Sequence, residues 1–173
     1  GMRYTRQGQA CTAGSRVYIQ EKIYDKVLDG VVDKLKNLKM GNALDENSDV
    51  GAIISEEQLN RTLHYMNIAK ENSSTKVLHG GIQKKGGNYK EGFFYEPTLL
   101  SGVPVKSPVC QEEIFGPVAC AIPFKSFDEV IKSANDTPFG LSAVIWTQNL
   151  SRALQFVDEI DAGFVQVNQC VAP

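Results

Sequence analysis

A chain of 173 residues, 42% hydrophobic and 22% charged, is long enough to bury a core as one domain without a metal or disulfide framework. Its net charge of −2, with Lys and Arg spread along the chain, argues against a dedicated nucleic-acid surface, which needs a concentrated basic face. No apolar run approaches membrane-spanning length and no signal-peptide pattern opens the chain, so the expectation is a cytoplasmic protein with no bilayer segment. Gly1-Met2 reads as a protease-cleavage scar before a start methionine, and Gly1 is set aside from the fold. The four cysteines (Cys11, Cys110, Cys120, Cys170) form no C-x-x-C pair, and a reduced set is expected. His64 and His79 share no metal-ligand spacing with them, so no metal site is expected.

In chain order, residues 17–20 predict a strand. Tyr24, Leu28, Val31, Val32, Leu35 and Leu38, three and four residues apart, predict a helix stopped by Gly41-Asn42. Ser55-Glu56-Glu57-Gln58 reads as a capping box opening a helix with Leu59, Leu63 and Met66 on one face, broken at Asn72-Ser73-Ser74. Residues 76–78 are a candidate strand, residues 81–90 an exposed Gly- and Lys-rich loop, and residues 93–100 an extended run that Pro97 confines to an edge or a bend. The nearly all-apolar stretch 118–124 predicts a buried strand, followed by a second capping box, Ser126-Phe127-Asp128-Glu129, and a helix to about Ala134. Residues 141–146 read as another buried strand, 150–160 as a helix with Ala153, Leu154, Val157 and Ile160 inward, and 163–167 as the last strand. Apolar strands joined through helices imply a parallel sheet buried on both faces, so the predicted class is α/β, three layers with a mostly parallel central sheet. The ending at Val171-Ala172-Pro173, directly after a strand, reads as that of a fragment.

Two segments could carry chemistry. Cys11 stands among small residues in Gly8-Gln9-Ala10-Cys11-Thr12-Ala13-Gly14-Ser15-Arg16, which leaves room for a substrate at the sulfur. A helical turn over residues 10–13 would favour the thiolate there. The alternative is a buried structural cysteine. In Gln111-Glu112-Glu113-Ile114-Phe115-Gly116-Pro117-Val118, two carboxylates and an aromatic precede a strand, at the mouth where α/β proteins build sites. A carboxylate there can accept two ribose hydroxyls and a ring can hold a flat heterocycle; a solvated acidic turn with Phe115 as a core plug is the alternative. Gln58 reads more simply as the capping partner of Ser55, and Arg61 as a solvated charge. Asn135 to Leu141 reads as a turn chosen for geometry. Gly80-Gly81 lacks phosphate-loop spacing.

Taken together, these segments resemble the aldehyde dehydrogenase superfamily along almost the whole chain. Gly8 to Arg16 is similar to the family's nucleophile segment, and Glu112 to Val118 to the segment on the nicotinamide side of the cofactor. Met40-Gly41-Asn42, residues 51–55, 95–99, 135–141 and 162–168 follow in the family's order and spacing. The resemblance implies a catalytic-domain portion over residues 2–173, truncated at both ends, with Cys11 as the nucleophile and its own N–H in the oxyanion hole. It implies Glu113 on the nicotinamide ribose, Phe115 beside it, and Gln58 and Arg61 near positions that reach the other cofactor ribose in some members. NAD or NADP is the implied cofactor and a small aldehyde the implied partner; the aldehyde, the choice between NAD and NADP, and the oligomeric state stay open.

The E-L-G-G-K-like phrase with the general base, the G-x-T-x-x-G cofactor half, the oxyanion-hole asparagine and the C-terminal S-x-G-x-E phrases have no counterpart in this sequence. The expectation is therefore aldehyde oxidation through a cysteine thioester, by a chain inactive on its own. The alternatives are slow cofactor-independent thiol esterase chemistry at Cys11, or a folded non-enzymatic remnant.

Overall fold

The computed structural model of the chain describes residues 4–169. In chain order it forms β1 (Arg16–Gln20), a 3₁₀ turn over Glu21–Ile23, α1 (Tyr24–Lys36), α2 (Glu56–Glu71), β2 (Lys76–His79), β3 (Gln83–Lys84), β4 (Phe94–Tyr95) and β5 (Thr98–Ser101). There follow α3 (Pro108–Gln111), β6 (Val118–Phe124), α4 (Phe127–Asn135), β7 (Ser142–Ile145), α5 (Leu150–Glu159) and β8 (Phe164–Val167). The main sheet has the order β1-β6-β5-β2, with β1 and β5 parallel to β6 and β2 antiparallel to β5. The apolar run of β6 lies inside that sheet, with a strand on each side, which is why it carries no outward polar face.

Alternation along the inner strands sorts the two cores. Val118, Cys120 and Ile122, with Leu100, face α2 and meet Leu59, Tyr65, Met66 and Ala69. Ala119 and Ala121, with Leu99 and Ile19, face α1 and meet Leu28 and Leu35. The two alanines let α1 come close, so the Tyr24 hydroxyl donates to the Ala121 carbonyl at 3.0 Å. Helices on both faces make the three-layer α/β arrangement expected from the sequence. No helix among the described residues is long and apolar enough to cross a membrane.

Four local expectations are corrected. Among the described residues, the strands at 142–145 and 164–167 pair only with each other, in a separate two-stranded parallel sheet, and their residues are half-buried or exposed. In α5 the buried residues are Ala153 and Phe156, while Leu154 and Val157 face outward at 58% and 47% exposure. The first helix stops at Lys36, before Gly41-Asn42. The extended run at 93–100 is broken at Glu96-Pro97: β4 pairs with β3 in a hairpin that lies partly within the loop expected at 81–90, and Thr98–Ser101 continue as an inner strand. Pro97 acts as the bend. The box at Ser126 forms in full, with Ser126 and Glu129 each bonding the other's backbone N–H.

Two substitutions probe this frame. Leu100 is fully buried between sheet and α2, so Leu100→Ala is expected to lower stability by about 2–5 kcal/mol. Gly30 lies within α1, exposed, and a methyl group added there would meet nothing within 4 Å, so Gly30→Ala is expected to raise it by about 0.5–1 kcal/mol. Urea unfolding followed by circular dichroism reads both.

Candidate active site

The segment before β1 turns three times: the Gln7 N–H donates to the Tyr4 carbonyl at 2.8 Å, the Gln9 N–H to the Arg6 carbonyl at 2.9 Å, and the Ala13 N–H to the Ala10 carbonyl at 2.8 Å. Cys11 and Thr12 are the central residues of the last turn. A single hydrogen-bonded turn therefore replaces the helical turn expected at residues 10–13. Cys11 is exposed, whereas Cys110 and Cys120 are buried. The Cys11 N–H has no hydrogen-bond acceptor among the described residues. Cys170 lies outside the described residues.

What holds the segment in place is specific. The Tyr4 hydroxyl donates to the Thr98 carbonyl at 2.9 Å from a buried position, and burial pushes its titration up. The Gln9 side-chain oxygen accepts from the Ile54 N–H at 3.0 Å. On the far side of Cys11, the Ser15 carbonyl accepts from the Cys120 N–H at 2.8 Å, and the Arg16 guanidinium donates to the Ala134 carbonyl at 3.0 Å near the end of α4. A cation there also complements the negative end of the helix.

Gly8 makes the decisive approach. Its φ is +68°, and a Cβ there would overlap the Gly116 carbonyl. Gly116 in turn lies against Thr62 of α2, where a Cβ would overlap the threonine hydroxyl. Backbone therefore meets backbone, three residues before Cys11 and immediately after Phe115. Residues 112–115 form a strap running from this contact back to α3.

The strap is gripped from one face of α2. Gln58 Nε2 donates to the Ile114 and Phe115 carbonyls, both at 2.9 Å. Arg61 donates through Nε, at 3.1 Å, and Nη2 to the Glu113 carbonyl. The Tyr65 hydroxyl donates to Glu112 Oε2 at 2.6 Å, while Arg61 lies over the Tyr65 ring at 5.3 Å. Desolvation first, and then the Glu112 bond, push the Tyr65 phenol up. Positions 58, 61 and 65 share a helical face, so four successive strap residues are held in order. This anchoring stabilises Phe115 at φ +55°, a conformation unusual for a residue with a side chain.

Gln58 is not the reciprocal partner of a capping box: Ser55 Oγ accepts from the Gln58 N–H, but the Gln58 amide is spent on the strap. Arg61 is likewise no free solvated charge. The Tyr65–Glu112 pair escapes sequence reasoning, although the spacing of 58, 61 and 65 is a readable signal. Glu113 is exposed, and its carboxylate takes no hydrogen bond or ion pair from the described residues. Phe115 is half-buried.

The whole-chain architecture is that of known α/β dehydrogenases. A betaine aldehyde dehydrogenase from Staphylococcus aureus, solved in complex with NAD+, matches with a TM-score of 0.93 at 32% identity, covering 97% of this chain and 33% of that one. An aldehyde dehydrogenase from Bacillus cereus matches with a TM-score of 0.90 at 35% identity, covering 96% of this chain and 33% of that one. By sequence, the alpha-ketoglutaric semialdehyde dehydrogenase of Bacillus subtilis is 40% identical over 161 residues, 93% of this chain and 33% of the relative. Residues 2–173 match the aldehyde dehydrogenase family, and the chain belongs to it. It spans about a third of the length of the relatives it matches.

The grip of α2 is testable. Gln58→Ala leaves two strap carbonyls without their donor and is expected to lower stability by about 1–3 kcal/mol and to speed amide exchange at 113–116. Gly8→Ala is expected to do more than Gly86→Ala to both readouts: both glycines have a positive φ, but a methyl at 8 is driven into the Gly116 carbonyl while one at 86 meets nothing within 4 Å.

Proposed function

We propose that this chain is the nucleophile-bearing part of an enzyme that oxidises an aldehyde to a carboxylate with NAD or NADP. The observation that carries the reading is the exposed Cys11, three residues from the point where Gly8 meets the Gly116 backbone at the end of the strap. The Cys11 thiolate adds to the aldehyde carbon, forming the C–S bond and leaving charge on the oxygen. The Cys11 N–H, which has no hydrogen-bond acceptor among the described residues, would donate to that oxygen; one such donor is typically worth about 3–4 kcal/mol at the transition state. A nicotinamide dinucleotide, when bound, supplies the acceptor for the hydride that leaves the substrate carbon. Cys11 then carries the acyl group as a thioester until water releases the carboxylate.

The donor set fits such a cofactor in part. The open carboxylate of Glu113 offers two acceptor oxygens to a ribose diol, and the Phe115 ring offers a flat apolar surface. Gln58 and Arg61 serve the cofactor indirectly, by fixing the strap that carries those two groups. Their amide and guanidinium hydrogen bonds point to that role in place of direct contact with a second ribose. The relatives support the cofactor class: the staphylococcal structure is an NAD+ complex, and a D-glyceraldehyde dehydrogenase (NADP(+)) from Picrophilus torridus is 38% identical over 167 residues. We read the parent protein as cytoplasmic, with a small aldehyde as its partner.

Without a general base, a step that base assistance speeds by about 10²–10⁴-fold is lost, so the chain alone is expected to produce no NAD(P)H from a panel of aldehydes. Robust turnover would contradict that. Iodoacetamide at neutral pH is expected to label Cys11 well ahead of Cys110 and Cys120. A p-nitrophenyl ester is expected to give a small burst that disappears in Cys11→Ala; equal labelling, or a burst surviving that substitution, overturns the assignment of the nucleophile.

A further inference from the structure

Two thiols that the reaction does not use bracket the strap. Cys110 lies in α3, directly before Gln111 and Glu112, and Cys120 lies in β6, just after Gly116-Pro117. They are 5% and 1% exposed, in one apolar cluster with Val109, Ile114 and Val118. Cys120 Sγ lies 4.0 Å from the Val109 carbonyl oxygen, and the two thiols are near enough for each to shift the other's titration. Because that carbonyl is joined directly to the Cys110 nitrogen, the Cys110 Cα lies within about 3 Å of the oxygen. The Cys120 sulfur thus lies no farther than roughly 7 Å from the Cys110 Cα.

We propose that Cys110 and Cys120 form a modification site for hydrogen peroxide, closing to a disulfide that ties together the two ends of the strap. The Cys110 sulfur attacks one oxygen of the peroxide and the O–O bond breaks. The departing hydroxide takes up the proton that Cys110 released, giving water and a sulfenic acid at Cys110. The Cys120 sulfur then attacks the Cys110 sulfur, the S–O bond breaks, and the Cys120 proton leaves with that hydroxyl as a second water. Two thiols lose two electrons and the peroxide gains them.

The order of attack follows from the surroundings. The neighbouring Cys120 holds the Cys110 thiol below its usual range, while Cys110 and burial push Cys120 well above it. The thiolate therefore forms first at Cys110. Helix α3 is a single turn capped by Ser107, and we assign the entry of peroxide to its local opening.

The test uses the chain with Cys11→Ser, so that the exposed cysteine does not consume oxidant and the result does not depend on the reading of Cys11. The protein is treated with hydrogen peroxide, alkylated with iodoacetamide in urea, and digested with trypsin without reduction. Both cysteines fall in the peptide of residues 107–125. That peptide is expected to lack two hydrogens and carry no alkyl group, and to remain joined after cleavage at Glu112 or Glu113. Dithiothreitol restores two alkylatable thiols. In the oxidised protein, amide exchange over 111–117 is expected to slow.

Recovery of the peptide with two alkyl groups, or with Cys110 overoxidised and Cys120 free, overturns the proposal. So does a loss of two hydrogens that persists in Cys110→Ser or Cys120→Ser. Unchanged exchange over 111–117 overturns the link to the strap. Circular dichroism checks that the serine variants fold.

Discussion

The site depends on two stretches of backbone meeting with no side chain between them. Gly8 touches the Gly116 carbonyl, and Gly116 touches Thr62, so the cysteine segment, the strap and α2 are stacked at one point. A methyl group at either glycine would push the layers apart, and core packing transmits such a displacement because it has little slack. From that point outward the geometry is continuous. The chain leaving Gly116 becomes β6, the chain leaving Cys11 becomes β1, and the two pair in parallel from Arg16 and Cys120 onward. The separation of the cysteine from Glu113 and Phe115 is therefore set by the sheet itself.

The second constraint is polar. A strap that runs without a pairing strand must have its carbonyls satisfied by side chains, or it would leave polar groups unmet near the core. Gln58 and Arg61 do this for residues 113–115, and Tyr65 adds the carboxylate of Glu112. Backbone direction is thereby fixed while the Glu113 carboxylate and the Phe115 ring remain available. Three side chains on one helix do the holding and two side chains on the strap are left for chemistry.

Much of this is legible in the residues. The nearly all-apolar run at 118–124 reads as a buried strand, and the helix patterns that begin at Tyr24 and after Ser55 provide both covering layers. Cys11, Glu113 and Phe115 stand out by position, ahead of strands. The rest is hidden for identifiable reasons. A Ser-x-x-Gln phrase is equally compatible with a capping box and with a distant partner, and the strap carbonyls take Gln58 away from Ser55. Period alone puts Leu154 and Val157 inward because it does not say which face of a helix is covered; here Ala153 and Phe156 are the buried positions, and nothing in the described residues covers the other face. The pairing of β7 with β8, apart from β6, is a tertiary choice that the order strand-helix-strand does not contain. Asn135, read as a turn residue, does serve geometry: its side chain bonds the Glu159 carbonyl and the Asp161 N–H, closing α4 against the end of α5.

The most direct measurement is a nuclear Overhauser spectrum of the isotopically labelled chain, resolving the α-protons of Gly8. Cross-peaks from these to Gly116 and to the δ-protons of Pro117 are the result that follows from backbone contact at this point. Gly8 α-protons that instead show contacts only within residues 4–13, with none to the strap, would separate the cysteine from Glu113 and Phe115 and contradict the account.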